Sequence, residues 1–194
     1  ALPPTTAAMV QVLVDRFNEQ DEIVEASSFD PQPLKDAEGV DTGMLIWYSK
    51  KVPKGDADVD IGCGNSFGGG GEEETDDSVE MVNNCIDLDL GFGYNAMPFG
   101  SKSELKDWFK AYMTKLRKKL KTDGASEEEM AAFKAQAAIT GKWVLSNYKE
   151  LDAYAPKSFE TENCLIFAYW DDKANASGSE AFVAIAAGLK NVKY

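Results

Sequence analysis

KSELKDWFKAYMTKLRKKLKTDGASEEEM, Lys102–Met130, carries a helical period in a chain otherwise patterned for strands. Its apolar residues Leu105, Trp108, Phe109, Tyr112, Met113, Leu116 and Leu120 recur at intervals of three and four, which lines one stripe of an α-helix. KTDGA breaks that helix. SEEE then restarts one, with Ser126 as N-cap and Glu129 three residues on as the second half of a capping box, a device worth roughly 1 kcal/mol. Three glutamates in the first turn complement the helix dipole. The second helix presents Met130, Phe133, Ala137, Gly141, Val144, Tyr148 and Leu151 on one side, so residues 102–151 read as an antiparallel helical hairpin joined by a short turn.

On both sides of the hairpin the period drops to that of strands. VQVLVDRF (Val10–Phe17) is β-branched and reads as a strand, and GMLIWYSKKV reads as one buried on both faces. In VEMVNNCIDLDLGFGY the apolar residues move from odd positions (Val79, Met81, Cys85) to even ones (Ile86, Leu88, Leu90, Phe92). One extra residue in a strand would shift the phase in this way, so a β-bulge is expected near Asn83–Asn84. NCLIFAYW and EAFVAIAAG close the chain as two strands around the turn-rich DDKANASGS. Strands, one helical hairpin, then strands again describe an α+β fold without internal repeats.

Composition narrows the functions. The chain has 194 residues, 44% of them hydrophobic, and a formal net charge of −13. That charge argues against a nucleic-acid partner, and no apolar run is long enough to span a bilayer. There is no histidine, which removes the commonest general base and the commonest metal ligand together. Cys63, Cys85 and Cys164 form no CxxC pair, so neither structural zinc nor Cys-His catalysis is expected, and scattered thiols fit a cytoplasmic, reducing setting. Residues 1–8 read as a loose tail or cloning remnant, and 9–194 as one domain with Met9 a plausible start. The expectation is a protein that is not an enzyme.

Between Asp56 and Glu80 lies DADVDIGCGNSFGGGGEEETDDSVE. A phosphate-binding P-loop fails here, because Gly70 stands where its lysine must be when the motif is started from Gly64. Asp56, Asp58 and Asp60 have the spacing of the first calcium ligands of an EF-hand. The turn glycine and the closing carboxylate would then fall on Ile61 and Phe67, so at best a loose acidic calcium site of sub-millimolar affinity survives. The tetraglycine and the acids after it make 62–78 an expected mobile loop, because glycine loses most entropy on ordering and the acids repel one another. The first helix has the opposite sign. Eight cations of residues 102–121 against Glu104 and Asp107 leave 8 − 2 = +6, with Lys106, Lys110, Arg117 and Lys118 expected on exposed faces.

With these elements placed, the sequence resembles the translationally controlled tumour protein (histamine-releasing factor) family over nearly everything from Val12 to Tyr194. Ile61, Gly62, Asn65 and Ser66 resemble the opening of the family's first signature, with one residue inserted. VLVDRFNEQDEIVEAS resembles its first strand and Asp-Glu step, which falls on Asp21 and Glu22; VLSNYKELDAY resembles the end of its second long helix; LIFAYWDD and AIAAGLKNVKY resemble its closing strands. The second signature departs, since YAPKSFETENC holds no Gly-Glu pair. The resemblance implies a β-tent, a small twisted sheet like that of a chaperone of Rab-type GTPases, with a projecting helical hairpin. It implies a monomeric cytoplasmic regulatory protein that supports growth and stress responses by binding a small GTPase of the Ras/Rab superfamily, with Asp21 and Glu22 as contact candidates. The alternatives it carries are tubulin, reached through the basic helix, and low-affinity calcium.

Overall fold

The computed structural model describes residues 9–54 and 79–194. In chain order the elements are β1 (Gln11–Asp15), β2 (Glu22–Glu25), α1 (Ala26–Phe29), β3 (Gln32–Lys35), β4 (Asp41–Tyr48), β5 (Lys51–Pro53), β6 (Met81–Asn83), β7 (Asn95–Ala96), α2 (Lys102–Thr122), α3 (Glu127–Ser146), β8 (Asp152–Ala155), β9 (Ile166–Tyr169), α4 (Asp172–Ser177), β10 (Ala181–Ile185) and β11 (Leu189–Lys193). The strands form a six-stranded sheet ordered β3-β4-β10-β9-β8-β7, a three-stranded sheet ordered β11-β1-β2, and the β5-β6 pair. Each of these pairings is antiparallel. The class is α+β, as the sequence indicates.

The six-stranded sheet is the middle layer, because its strands are apolar on both faces. Along β10, Ala181, Val183 and Ile185 join one core while Phe182 and Ala184 join the other. Along β4, Met44 and Ile46 alternate in the same way with Leu45 and Trp47. The first core is closed by the helices through Leu105, Phe109, Tyr112, Leu116 and Val144. The second is closed by Ile23, Val24 and Leu189 of the three-stranded sheet, together with Cys85 and Tyr94. Burying each large aliphatic side chain contributes about 1.5–3 kcal/mol, and Leu116 and Val144 are wholly buried.

The hairpin forms as the spacing predicts. Ser101 caps α2, and Ser126 with Glu129 completes the capping box of α3. Its apolar side lies along the sheet, drawn in by small residues. A Cβ at Gly141 would come within 2.8 Å of the Phe109 ring, and one at Gly188 would collide with the Tyr112 hydroxyl. α3 ends at Ser146, followed by a single 3-10 turn over Tyr148–Glu150, and Asp152–Ala155 is a strand pairing with β9. The helical spacing of Tyr148 and Leu151 therefore carries past the true end of the helix.

Two other expectations are corrected. No bulged strand runs through Asn83–Asn84; β6 stops at Asn83, whose side-chain oxygen accepts from the Cys85 and Ile86 amides, and Asp87 does the same for Asp89 and Leu90. The change of phase marks side-chain-closed turns rather than an inserted residue. DDKANASGS is not all turn, because Asp171 caps α4 through the Ala174 amide and Gly178 ends it at φ 72°.

Candidate functional site

Two surfaces carry the residues singled out by the sequence. The first is built where β1 turns into β2. β1 ends on Asp15, an acid at the close of an apolar run, and its side chain is wholly buried. One carboxylate oxygen accepts from the Phe17 amide at 2.9 Å and the other from the Cys164 amide at 3.2 Å. Burial pushes its pKa up to about 6 and outweighs these two amide bonds; the nearby Asp21 adds to the rise and Lys115 opposes it.

The turn returns at Asp21, whose amide donates to the Asn18 carbonyl at 3.0 Å. Asp21 and Glu22 part company here. Asp21 is 3% exposed, so of the two contact candidates it is not itself available to a partner. Its carboxylate accepts from the Ser158 amide at 3.1 Å, from the Ser158 hydroxyl and from the Asn18 side-chain amide at 3.3 Å. Glu22 opens β2 and faces solvent.

Ser158 belongs to the YAPKSFETENC segment, the stretch that departs from the family's second signature. Its loop is fastened on three sides. Asp21 holds Ser158, Trp108 of α2 donates its indole N–H to the Thr161 carbonyl at 2.9 Å, and Lys115 of α2 donates to the Asn163 side chain. Between these ties stands Phe159, 54% exposed and at φ 59°. A left-handed conformation costs a non-glycine residue on the order of 1–2 kcal/mol, so the surrounding bonds hold it there. Beside the loop, Met97, Phe99, Trp108 and Thr161 line an open groove of about 450 Å³.

The second surface is the polar side of α2. Lys106, Lys110, Arg117 and Lys118 are exposed, as expected, and none makes an ion pair among the described residues. Two other lysines of the helix are engaged within the protein. Lys115 lies 4.4 Å from the centre of the Phe17 ring, and Lys119 pairs with Asp123 at 3.2 Å. Toward the hairpin tip, Arg117, Lys118, Lys121 and Lys134 surround a shallow groove of about 600 Å³ floored by Met130 and Ala131.

The signature residues Ile61, Gly62, Asn65 and Ser66, the calcium candidates Asp56, Asp58 and Asp60, and the loop 62–78 lie outside the described residues. Among the described residues no group of three or more acidic or cysteine side chains could hold a metal ion. Cys85 and Cys164 are free and buried, and burial pushes the Cys85 thiol up to about 12 and Cys164 well above its ordinary value. Neither is a thiolate nucleophile at neutral pH. No helix of the described residues is long and apolar enough to cross a membrane.

Sequence reasoning missed Asp15, Ser158 and Phe159. An acid ending VLVD and an aromatic set among polar residues in KSFETEN were the available signals.

Comparison with known proteins bears on the whole chain. The family model described as translationally controlled tumour protein matches residues 13–190. A translationally controlled tumor-associated protein of Schizosaccharomyces pombe has a similar structure at TM-score 0.66 and 20% identity, with 95% of this chain and 99% of that one covered. A translationally-controlled tumor protein of Caenorhabditis elegans aligns at TM-score 0.55 and 18% identity, covering 95% and 98% of the two chains.

Proposed function

The chain belongs to the translationally controlled tumour protein family, and from that premise we propose that it is a non-enzymatic cytoplasmic regulatory protein that binds a small GTPase of the Ras/Rab superfamily. The observation that supports this reading most is the clamp between Asp21 and Ser158. It fixes the β1–β2 turn against the 156–163 loop and leaves Glu22 facing outward on rigid backbone. A turn held in one geometry loses little entropy when a partner docks, which favours affinity. Of the groups near it, Asp15 is wholly buried with both carboxylate oxygens bonded to backbone amides, and burial holds Cys164 as the thiol.

The test is a pull-down of recombinant Ras- and Rab-type GTPases, each nucleotide-free and loaded with GDP or a GTP analogue. The parent chain should retain at least one, and Glu22→Lys should lose it. Equal retention by the variant, or none by the parent, contradicts the reading.

A second reading is carried by the exposed cations Lys106, Lys110, Arg117 and Lys118, which suit the acidic tails of tubulin. Co-sedimentation with microtubules should then weaken between about 50 and 200 mM salt, because the Debye length falls below roughly 10 Å. Salt-independent co-sedimentation would contradict it.

A further inference from the structure

We infer that Phe159 is the apolar anchor with which this chain grips its protein partner, and that the partner surface it fits is an apolar socket with a basic rim. The inference rests on the GTPase reading above and supplies the contact that reading lacks, since Glu22 alone offers a charge and no buried area.

Phe159 is one of two non-glycine residues with positive φ among the described residues. The other, Asp30 at φ 46°, caps the end of α1, where a short polar side chain takes the left-handed region readily. A phenylalanine has no such local compensation. Its amide donates to the Pro156 carbonyl at 2.8 Å, and the flanking residues are fixed by the Asp21–Ser158 clamp and by the Asn163 amide on the Glu160 carbonyl at 3.1 Å. The loop thus holds its ring outward, 54% exposed. A large ring on constrained backbone buries much area for little lost freedom, which is what binding hot spots are made of.

The neighbourhood gives the anchor its chemistry. Leu88, 61% exposed, and the stem of Lys157 both pack over Gly93, and Lys157 stands two residues before Phe159 in the chain. Exposed Glu160, Glu162 and Glu22 surround the anchor against the cation Lys157, which leaves the edge net acidic. An apolar centre with an acidic edge selects a basic-rimmed socket by charge complementarity. A second copy of this chain fits poorly, because each carries −13 and would set the same acids against themselves.

The test titrates the same GTPase panel with the parent and with Phe159→Gly and Phe159→Asn. Both replacements tolerate the left-handed backbone, so loss of fold is separable from loss of the ring, and a circular-dichroism melt records the fold. Both variants should melt no lower than the parent, since they relieve the left-handed strain, and bind at least about tenfold more weakly. Leu88→Ser, at an exposed turn, should weaken binding by a smaller factor. If either folded variant binds like the parent, the anchor is wrong and the GTPase reading stands. If the parent binds no member of the panel, that reading falls and the anchor falls with it.

Discussion

The clamped turn and the basic helix face are both exposed and both charged, yet they are built differently. At the turn, the outward residues Glu22 and Phe159 stand on backbone tied down by Asp15, Asp21, Ser158 and Trp108. On α2, Lys106, Lys110, Arg117 and Lys118 stand on a regular helix and touch no acid among the described residues. The first arrangement commits buried polar groups and a strained residue to one geometry. The second commits only the charge of flexible side chains. Shape-specific recognition belongs to the first, and salt-screened attraction to the second.

Removing the ties should separate the two regions most sharply. Asp21→Ala removes the carboxylate that accepts from Ser158 and Asn18 and should destabilise the fold by about 1–3 kcal/mol, measured by denaturant unfolding. Amide exchange should speed up over residues 157–160 while the α2 amides stay protected. Uniform exchange across both regions would mean that the clamp does not act locally.

An effect of similar size follows from Asp15. Its pKa is raised from the ordinary 3.8 to about 6 in the folded chain, so between those values the folded state binds the more protons. Its contribution is fully present below about pH 4 and is lost as pH rises through about 6, by an amount on the order of 2–3 kcal/mol. Asp15→Asn should flatten that part of the stability–pH curve. A slope unchanged in the variant would assign the titration elsewhere.

What the sequence made legible follows from how local each determinant is. α2 and α3 are written in three- and four-residue spacing and in the Ser126–Glu129 box, all within one short stretch. β1, β4, β9 and β10 are written in β-branched and apolar runs. β2, α1 and β3, of four residues each, are too short to show a period, and β8 is masked because Tyr148 and Leu151 prolong the helical spacing beyond Ser146. α4 is hidden among Asp, Asn, Ser and Gly, which suit turns and helix caps equally. At the candidate site, the exposed lysines of α2 could be read from one helix. The Asp21–Ser158 clamp joins residues 137 apart, and nothing in a single sequence pairs them.

The smallest effect on stability should come from the basic face. Reversing Lys106, Lys110, Arg117 and Lys118 to glutamate should change unfolding free energy by no more than about 0.5 kcal/mol each, since surface substitutions seldom do more. A loss of several kcal/mol in denaturant unfolding would mean that these cations hold the hairpin in place, and the contrast between the two regions would fail.

The most direct measurement is a crossed titration. The parent, Glu22→Lys and the fourfold basic-face variant are each titrated with a Ras- or Rab-type GTPase retained by the parent. Glu22→Lys should bind the GTPase at least about tenfold more weakly, while the basic-face variant should stay within about twofold of the parent. The reverse pattern, with GTPase binding lost on reversing the helix face and kept by Glu22→Lys, would contradict the account.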